Sequence, residues 1–495
     1  MKSYTALVGG IVLSACVVAC AQNQTVPPPV TTTHPHESQS QQAMPMAGME
    51  HKVDPLPPPN LPRLGTEQEM AKVPLVRLED LEGLALKNNP TLTQAAAEVS
   101  AAKGRRLQSA LWPNPTVGYT GEEIRGGSFR GGQQGFFVQQ EVVLGGKLAL
   151  NKNVAAQEVR QAELENEEQQ LRVKNAVRLL YYQALAEQEL VAMRKQLSRI
   201  ALEIAKYDRQ LFNVGQQNES EVLQAEVEAE QADLAVVTGE HSRRRAMAAL
   251  ASVVGSSSVQ DSMLAGSLEK DIPELDEEQV VSALLRESPA VRIAQAGVDR
   301  AEAALNRARH EAVPNLLVRA GLEQNRELQD NGRPAGLQGF AEVGVQLKLF
   351  NRNQGNVEAA NAELDRARQE VKRIELVLRE RAATYVDSYS TARTVVDRYR
   401  TRILPSAQRA YELIYKRYGL MQASYPQVLG SEHSLYKLES AYVSALGQLW
   451  SNVTALKGFL LTDGLEAPTA PSDVDRRVRE VNLPSESMNF VRQER

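Results

Sequence analysis

Residues 340–350, "FAEVGVQLKLF", place Ala341, Val343, Val345, Leu347 and Leu349 in alternation with Glu342, Gly344, Gln346 and Lys348. "NLLVRAGLEQ", starting at Asn315, alternates the same way through Leu316, Val318, Ala320 and Leu322. A period of two with one apolar and one polar face describes a strand between two different solvents. The pattern predicts strands over about 315–324 and 340–350. A noisier pair lies near 115–124 ("TVGYTGEEI", through Val117 and Tyr119) and 135–144 ("GFFVQQEVVL"). Runs of about 9–11 residues match a tilted strand crossing a bilayer; a small soluble sheet packed on a helix would alternate similarly.

Elsewhere the period changes. From Lys147 to Asn213 there is no proline and no glycine, which predicts one helix about 100 Å long at 1.5 Å per residue. Near its end Leu197, Ile200, Ile204, Tyr207, Leu211 and Val214 recur at alternating spacings of three and four. Leu364, Ala367, Val371, Ile374 and Leu378 do so later, and after one extra step Ala382, Tyr385, Tyr389, Ala392, Val396, Tyr399 and Ile403 resume the pattern. A seam every 3.5 residues packs knobs into holes against neighbouring helices. Pro405 is expected to kink the second of these helices near its far end.

These elements occur twice, about 200 residues apart. "TLTQAAAEVSAAKGRRLQSAL" follows Asn89-Pro90 and stops before Pro113-Asn114; "AVRIAQAGVDRAEAALNRARHEAV" follows Pro289 and stops before Pro314-Asn315. Proline disfavours helix in the residue before it, so both stops have a cause. Each copy reads helix–strand–strand–helix–helix. Between the long helices of each copy lies a tip, Phe212–Glu226 in the first and Lys416–Glu432 in the second. Gly215 and Gly419 are expected just past a helix end, where the left-handed conformation favours glycine. Gly419 stands nine residues before Val428 whereas Gly215 stands seven before Val222, which predicts a bulkier second tip.

The chain starts differently. Lys2 precedes an apolar run from Ala6 to Ala21, which turns polar at Gln22-Asn23-Gln24. That is a secretory signal, too short and badly flanked for a spanning helix. The only two cysteines, Cys16 and Cys20, each follow an alanine and resemble the lipidated cysteine of a bacterial lipobox. Cys20 is favoured by the polar sequence directly after it, Cys16 by Leu13 and Ser14. A disulfide core and thiolate catalysis are then unavailable to the mature chain. The organisation expected is a signal peptide at 1–20, a Pro/Gln/Met/His-rich disordered linker at 21–70, a first repeat at 71–255 with a helical hairpin near 147–254, and a linker at 256–275. A second repeat at 276–461, with a hairpin near 356–460, and a polar tail at 462–495 complete it. Ten of the 23 prolines fall between Pro27 and Pro62, in sequence too polar to offset its ordering entropy.

Composition narrows the classes. The net charge is −5 and cations are interleaved with carboxylates, so no nucleic-acid partner is indicated. Aromatics make up 5% and charged residues 24%, a mixture that favours long helices. Four strands cannot close a membrane barrel, whose smallest forms have about eight. An open edge in lipid costs several kcal/mol per unpaired group, so strands that enter lipid must be completed by further copies of the chain.

The doubled plan, the tips and the lipobox resemble the outer-membrane efflux protein family, the TolC-like channels, over roughly residues 75–461. "QQEVVLGGKLAL", with Gly145-Gly146-Lys147 after the second strand, is most similar to its heavy-metal branch of cobalt–zinc–cadmium and copper–silver exporters. The resemblance implies a mainly α fold with a membrane β-barrel: a homotrimer closing a 12-stranded barrel over a coiled-coil α-barrel built from two helical hairpins per chain. It also implies a place in the outer membrane of a Gram-negative bacterium, extending into the periplasm, with a periplasmic adaptor and an inner-membrane proton-driven RND-type pump as partners. Such a protein is a gated conduit for heavy-metal efflux, without a cofactor and not an enzyme. A channel of the same type for drugs or other organic compounds is one alternative; a periplasmic coiled-coil adaptor with no pore is another.

Two groups of residues bear on a metal cargo. His34, His36, Met44, Met46, Met49 and His51 lie in "THPHESQSQQAMPMAGMEH", which holds three of the six histidines; imidazole with thioether suits Cu(I) or Ag(I). Around the first tip, Asp208 and Glu219 are candidates for carboxylate rings that concentrate cations at a tunnel mouth. Near the second tip Tyr418 and Tyr425 are candidates for hydrogen bonds that hold a closed state. Catalytic patterns are absent: Gly146-Lys147 lacks the other phosphate-loop residues, and His310-Glu311 lacks a second histidine at metalloprotease spacing.

Overall fold

The computed structural model describes residues 75–124, 132–328 and 333–467. The signal segment, both cysteines and the Met/His-rich stretch lie outside the described residues. The element order is β1 (Leu75–Val76), α1 (Leu78–Asn88), α2 (Pro90–Gln108), β2 (Thr116–Glu122), β3 (Gln133–Val142), α3 (Lys147–Asn213) and α4 (Glu219–Val254). There follow β4 (Met263–Leu264), α5 (Glu277–Glu287), α6 (Pro289–His310), β5 (Leu316–Leu328), β6 (Pro334–Val345), α7 (Gln354–Arg398), α8 (Leu404–Gly419) and α9 (Tyr425–Lys457).

The prolines act at helix starts as well as stops. Pro90 and Pro289 each occupy the first turn of their helix, where a missing N–H costs nothing and φ is already helical. Asn89 caps α2 by accepting from the Thr91 N–H at 3.0 Å, and its amide donates to the carbonyls of Val253 and Gly464. Asp276 caps α5 in the same manner. α3 runs 67 residues, the whole segment free of proline and glycine. Its counterpart is interrupted: between α7 and α8, Tyr399–Ile403 form a π-turn. Pro405 cannot donate to the carbonyl four residues back, that of Thr401, and the wider turn absorbs the mismatch.

β2, β3, β5 and β6 pair in that order into one antiparallel sheet, and β1 pairs parallel with β4. β6 starts at Pro334 and ends at Val345, earlier at both ends than the alternation suggested. Pairing explains the difference, since β5 supplies partners from Pro334 to Val345. Leu347 and Leu349 continue the pattern without a partner strand.

The main core sits part-way along the helices. Val177 and Leu185 of α3, Leu250 of α4, Tyr389 of α7 and Leu446 and Leu449 of α9 meet there. The inter-repeat segment is bound into it: the Trp450 indole donates to the Leu268 carbonyl at 2.7 Å, and Tyr181 donates to that of Ala265. Towards the tips the core thins to small clusters, such as Ile200, Leu429 and Tyr436.

Candidate functional site

The sheet has two unlike faces. Val117, Val138, Ala320 and Ala341 form one cross-strand row, and Tyr119, Phe136, Leu322 and Gly339 the next. Val117, Tyr119, Phe136, Val138, Leu322, Val343 and Val345 on this face are exposed, so an apolar surface faces outward with no protein to cover it. On the other face one row reads Gly118, Phe137, Gly321, Phe340 across the four strands. A Cβ at Gly118 would lie 2.5 Å from the Phe137 ring, and one at Gly321 would lie 2.7 Å from that of Phe340. Each ring lies over the glycine beside it, as aromatics do over strand glycines. The adjoining row is Thr116, Gln139, Arg319, Glu342. The Arg319 guanidinium rests 4.1 Å from the Phe137 centroid and 5.4 Å from that of Phe340, with a Glu342 carboxylate oxygen at 3.5 Å.

Where the sheet passes into helices, Lys147 opens α3 with a side chain only 2% exposed. Its ammonium donates to Asn315 Oδ1 at 2.9 Å and lies 3.6 Å from the Glu311 carboxylate. Glu311 also accepts from Lys348 at 3.0 Å and pairs with Arg307, while Asn315 donates to Glu141 at 2.6 Å. Burial, partly countered by Glu311, lowers the Lys147 pKa. Burial acts to raise Glu311, yet Arg307, Lys348 and Lys147 together hold it below the usual carboxylate range. Gly146-Lys147 therefore serves a junction between the two repeats, with no free phosphate-binding amine.

The tips differ from expectation. At the first, Gly215 (φ 74°) follows α3; its N–H donates to Phe212 and that of Gln216 to Leu211. Gly419 is the last residue of α8, outside the left-handed region, and that conformation falls to Met421 (φ 58°). The Met421 N–H donates to Tyr418 and that of Gln422 to Arg417, the same paired bonds in the same order. Counted from Met421, Val428 is seven residues on, as Val222 is from Gly215. The two tips are thus built alike, and the second is not longer. A hydrogen-bond pattern decides the position, so a search for glycine points two residues early.

Of the acidic candidates, Asp208 is half-buried; burial and the nearby Glu221 raise its pKa. Glu219 is exposed in the first turn of α4, where a carboxylate suits the helix dipole. Tyr425 packs against Tyr207 and Tyr418, at centroid distances of 5.1 and 6.0 Å, and its hydroxyl donates to Glu203 at 3.5 Å. Burial, then Glu203, raises the Tyr425 pKa. Arg199 pairs with Glu203 at 2.9 Å and lies 3.6 Å from Glu432. A polar chain from Tyr425 through Glu203 and Arg199 to Glu432 therefore ties α3 of the first repeat to α9 of the second. Sequence reasoning singled out Tyr425 and missed Arg199, Glu203 and Glu432, which sit among ordinary surface charges in the pattern. Among the described residues no group of three or more His, Cys, Asp or Glu could hold a metal ion, and no helix is long and apolar enough to cross a membrane.

Comparison with known proteins accords with this architecture. The family described as "Outer membrane efflux protein" matches residues 81–256 and 280–460. The cobalt-zinc-cadmium resistance protein CzcC of Cupriavidus metallidurans is 25% identical over 385 residues, 77% of this chain and 89% of the relative. The nickel-cobalt-cadmium resistance protein NccC of Alcaligenes xylosoxydans xylosoxydans is 25% identical over 277 residues, 55% of this chain and 60% of the relative. Among solved structures, the Campylobacter jejuni CmeC outer membrane channel superposes with a TM-score of 0.61 at 18% identity, covering 82% of this chain and 89% of that one.

Proposed function

The chain belongs to the outer membrane efflux protein family, and from that premise we propose that it is the outer-membrane conduit of a tripartite system exporting heavy-metal cations from the periplasm. The observation that carries the reading is the sheet. Its apolar face is bare, and β2 and β6 each keep an outer edge with no partner strand among the described residues. In lipid those edges would leave backbone groups unpaired at several kcal/mol each. Joining β2 of one copy to β6 of the next removes both, and three copies make a 12-stranded barrel. The helical hairpins then continue as a tunnel across the periplasm, to be met by an adaptor and a proton-driven inner-membrane pump.

Transport by such a conduit needs no covalent chemistry. Asp208 and Glu219 become carboxylate rings at the tunnel mouth, where cations are concentrated. The Tyr425–Glu203–Arg199–Glu432 chain, with Tyr418 beside it, holds the hairpins together in a closed state. Cys20 or Cys16 carries the lipid anchor. The metal cargo is supported by the names of the two resistance relatives. His34, His36, Met44, Met46, Met49 and His51 would add a loose scavenging segment for soft cations before the channel body.

The deciding experiment pairs two measurements. Purified protein is added to a planar bilayer, where discrete conductance steps are expected. A deletion strain is grown on graded cobalt, zinc, cadmium, copper and silver, and on antibiotics. Metal sensitivity supports the cargo; antibiotic sensitivity alone replaces it with organic compounds. A monomeric protein without conductance would refute the conduit itself.

A further inference from the structure

The inter-repeat segment covers one side of the helices, where Tyr181 and Trp450 donate to its carbonyls. An open groove runs along the other side at the same level, lined among others by Gln183 and Glu187 of α3, Ser242 of α4 and Gly447 of α9. In a closed ring the inter-repeat segment must lie outside, since it would otherwise fill the bore, so the grooved side faces the tunnel. Towards the tips that side carries a histidine and a glutamate. Two heptads separate Glu228 from Ser242 and His433 from Gly447, which keeps each residue on the tunnel side of its helix.

His433 Nδ1 lies 3.8 Å from Glu228 Oε1. The pair joins α9 of the second repeat to α4 of the first by reaching over α3, where small side chains make room: Ala201 and Ala205 are both buried. The separation is too long for a hydrogen bond. Two ligands of one tetrahedral ion, with bonds of about 2.0–2.1 Å, stand about 3.3 Å apart. Glu228, its side chain 60% exposed, can close that difference by rotation. The other described histidines have different neighbours: His241 lies beside Arg244, and His310 beside the Asn306 carbonyl. Charges on α3 divide between its two sides. Lys195, Arg199 and Arg209 pair with Glu240, Glu432 and Glu226 on the outer side, whereas Asp208 lies one heptad from Ala201 on the tunnel side. The cations nearest the pair are Arg194, against Gly239 of α4, and the exposed Lys437, one turn along α9.

We propose that Glu228 and His433 form a way station for divalent cations of the zinc and cobalt kind on the tunnel wall, about 14 Å along α4 from the first tip. The inference rests on the conduit reading, because it takes the grooved side for the tunnel wall. Imidazole and carboxylate suit borderline divalent ions, whereas Cu(I) and Ag(I) prefer sulfur. Two protein ligands fall short of the three or four that retain an ion, and water completes the shell. Weak binding is what passage requires, because an ion held tightly would not leave. A plain ion pair of protonated His433 with Glu228 would account for the contact too, but it would draw no metal.

Diethylpyrocarbonate acylates free imidazole, and tryptic digestion places His433 on a different peptide from His34, His36 and His51. Full-length protein in detergent is labelled without metal, and then in about 1 mM Zn²⁺, Co²⁺, Mg²⁺ or Ag⁺. Zn²⁺ and Co²⁺ are expected to slow labelling of His433 about two- to tenfold by mass action. Mg²⁺ and Ag⁺ should do so much less, and Glu228→Gln should remove most of the protection. Labelling of His433 that Zn²⁺ leaves unchanged, in protein that conducts in the bilayer, overturns the station and leaves the conduit intact. Protection that persists in Glu228→Gln overturns the two-ligand site. Should that variant fail to assemble, the wild-type ions decide alone: Mg²⁺ or Ag⁺ protecting as well as Zn²⁺ overturns the assignment. Protein that neither conducts nor forms an oligomer refutes the conduit reading itself.

Discussion

Met421→Gly separates backbone strain from side-chain contact at the second tip. Met421 is 96% exposed and sits at φ 58°, so replacing it removes almost no packing. A side chain in the left-handed region costs roughly 1–2 kcal/mol. Glycine returns part of that, roughly 0.5–1 kcal/mol, as extra freedom in the open state. The net is a gain of about 0.5–1 kcal/mol, or a two- to fivefold lower open population at the tip. Gly215→Met is the mirror experiment. Nothing lies within 4 Å of a Cβ there, so its cost is purely conformational and of opposite sign. Hydrogen exchange read on peptides covering residues 211–222 and 417–428 is the proper assay, because a large membrane oligomer seldom unfolds reversibly. Met421→Gly should slow exchange in the second peptide, and Gly215→Met should speed it in the first. Faster exchange in Met421→Gly would refute the strain argument, since it would mean that the methionine stabilises its tip.

Other outcomes follow from the same geometry. Lys147→Met should cost about 1–3 kcal/mol, because it takes one donor each from the half-buried Asn315 amide and the half-buried Glu311 carboxylate, which keeps Arg307 and Lys348; the temperature at which the oligomer dissociates in a gel should fall. Burial pushes the Glu439 carboxyl up to about 7, and burial with Glu269 does the same for Glu189, against an ordinary 4.5. The folded state then keeps protons that the unfolded chain releases, so stability falls as pH rises from about 4.5 through 7; Glu439→Gln should flatten the dependence of melting temperature on pH. Gly321→Val should abolish assembly, judged by cross-linking, because its Cβ would stand 2.5 Å from the Phe136 carbonyl and 2.7 Å from the Phe340 ring. Arg319→Gln should raise the cation preference of single channels, read as a shifted reversal potential, because it frees Glu342 on the inner face.

Much of the architecture is legible in the sequence, where one physical cause acts alone. A stretch without proline or glycine became α3, and strict alternation became β5. Positions set by pairing were less accessible. β6 starts at Pro334 because β5 offers partners there, six residues before the alternation becomes clear. The left-handed residue of the second tip is chosen by two backbone hydrogen bonds, and it happens to be a methionine. Pro405 announced a disturbance but not its form, a π-turn just upstream. Tyr425 was visible as a tip residue; its partner Glu203, and Arg199 which pairs with that carboxylate, lie more than 200 residues away in the chain and resemble any exposed charge. The Lys147 junction was hidden for the same reason, being spread over positions from 141 to 348.

Internal duplication usually leaves halves that could live apart. Here Lys147 closes that route: it belongs to the first half, yet Glu311 and Asn315, which solvate its ammonium, belong to the second. A gene split between Gly255 and Asp276 would yield an amino-terminal product with a stranded ammonium and a carboxy-terminal one in which Glu311 keeps only Arg307 and Lys348 and Asn315 loses its acceptor Glu141. The two products should be recovered only when made together, so the ancestral repeat has become an obligate pair.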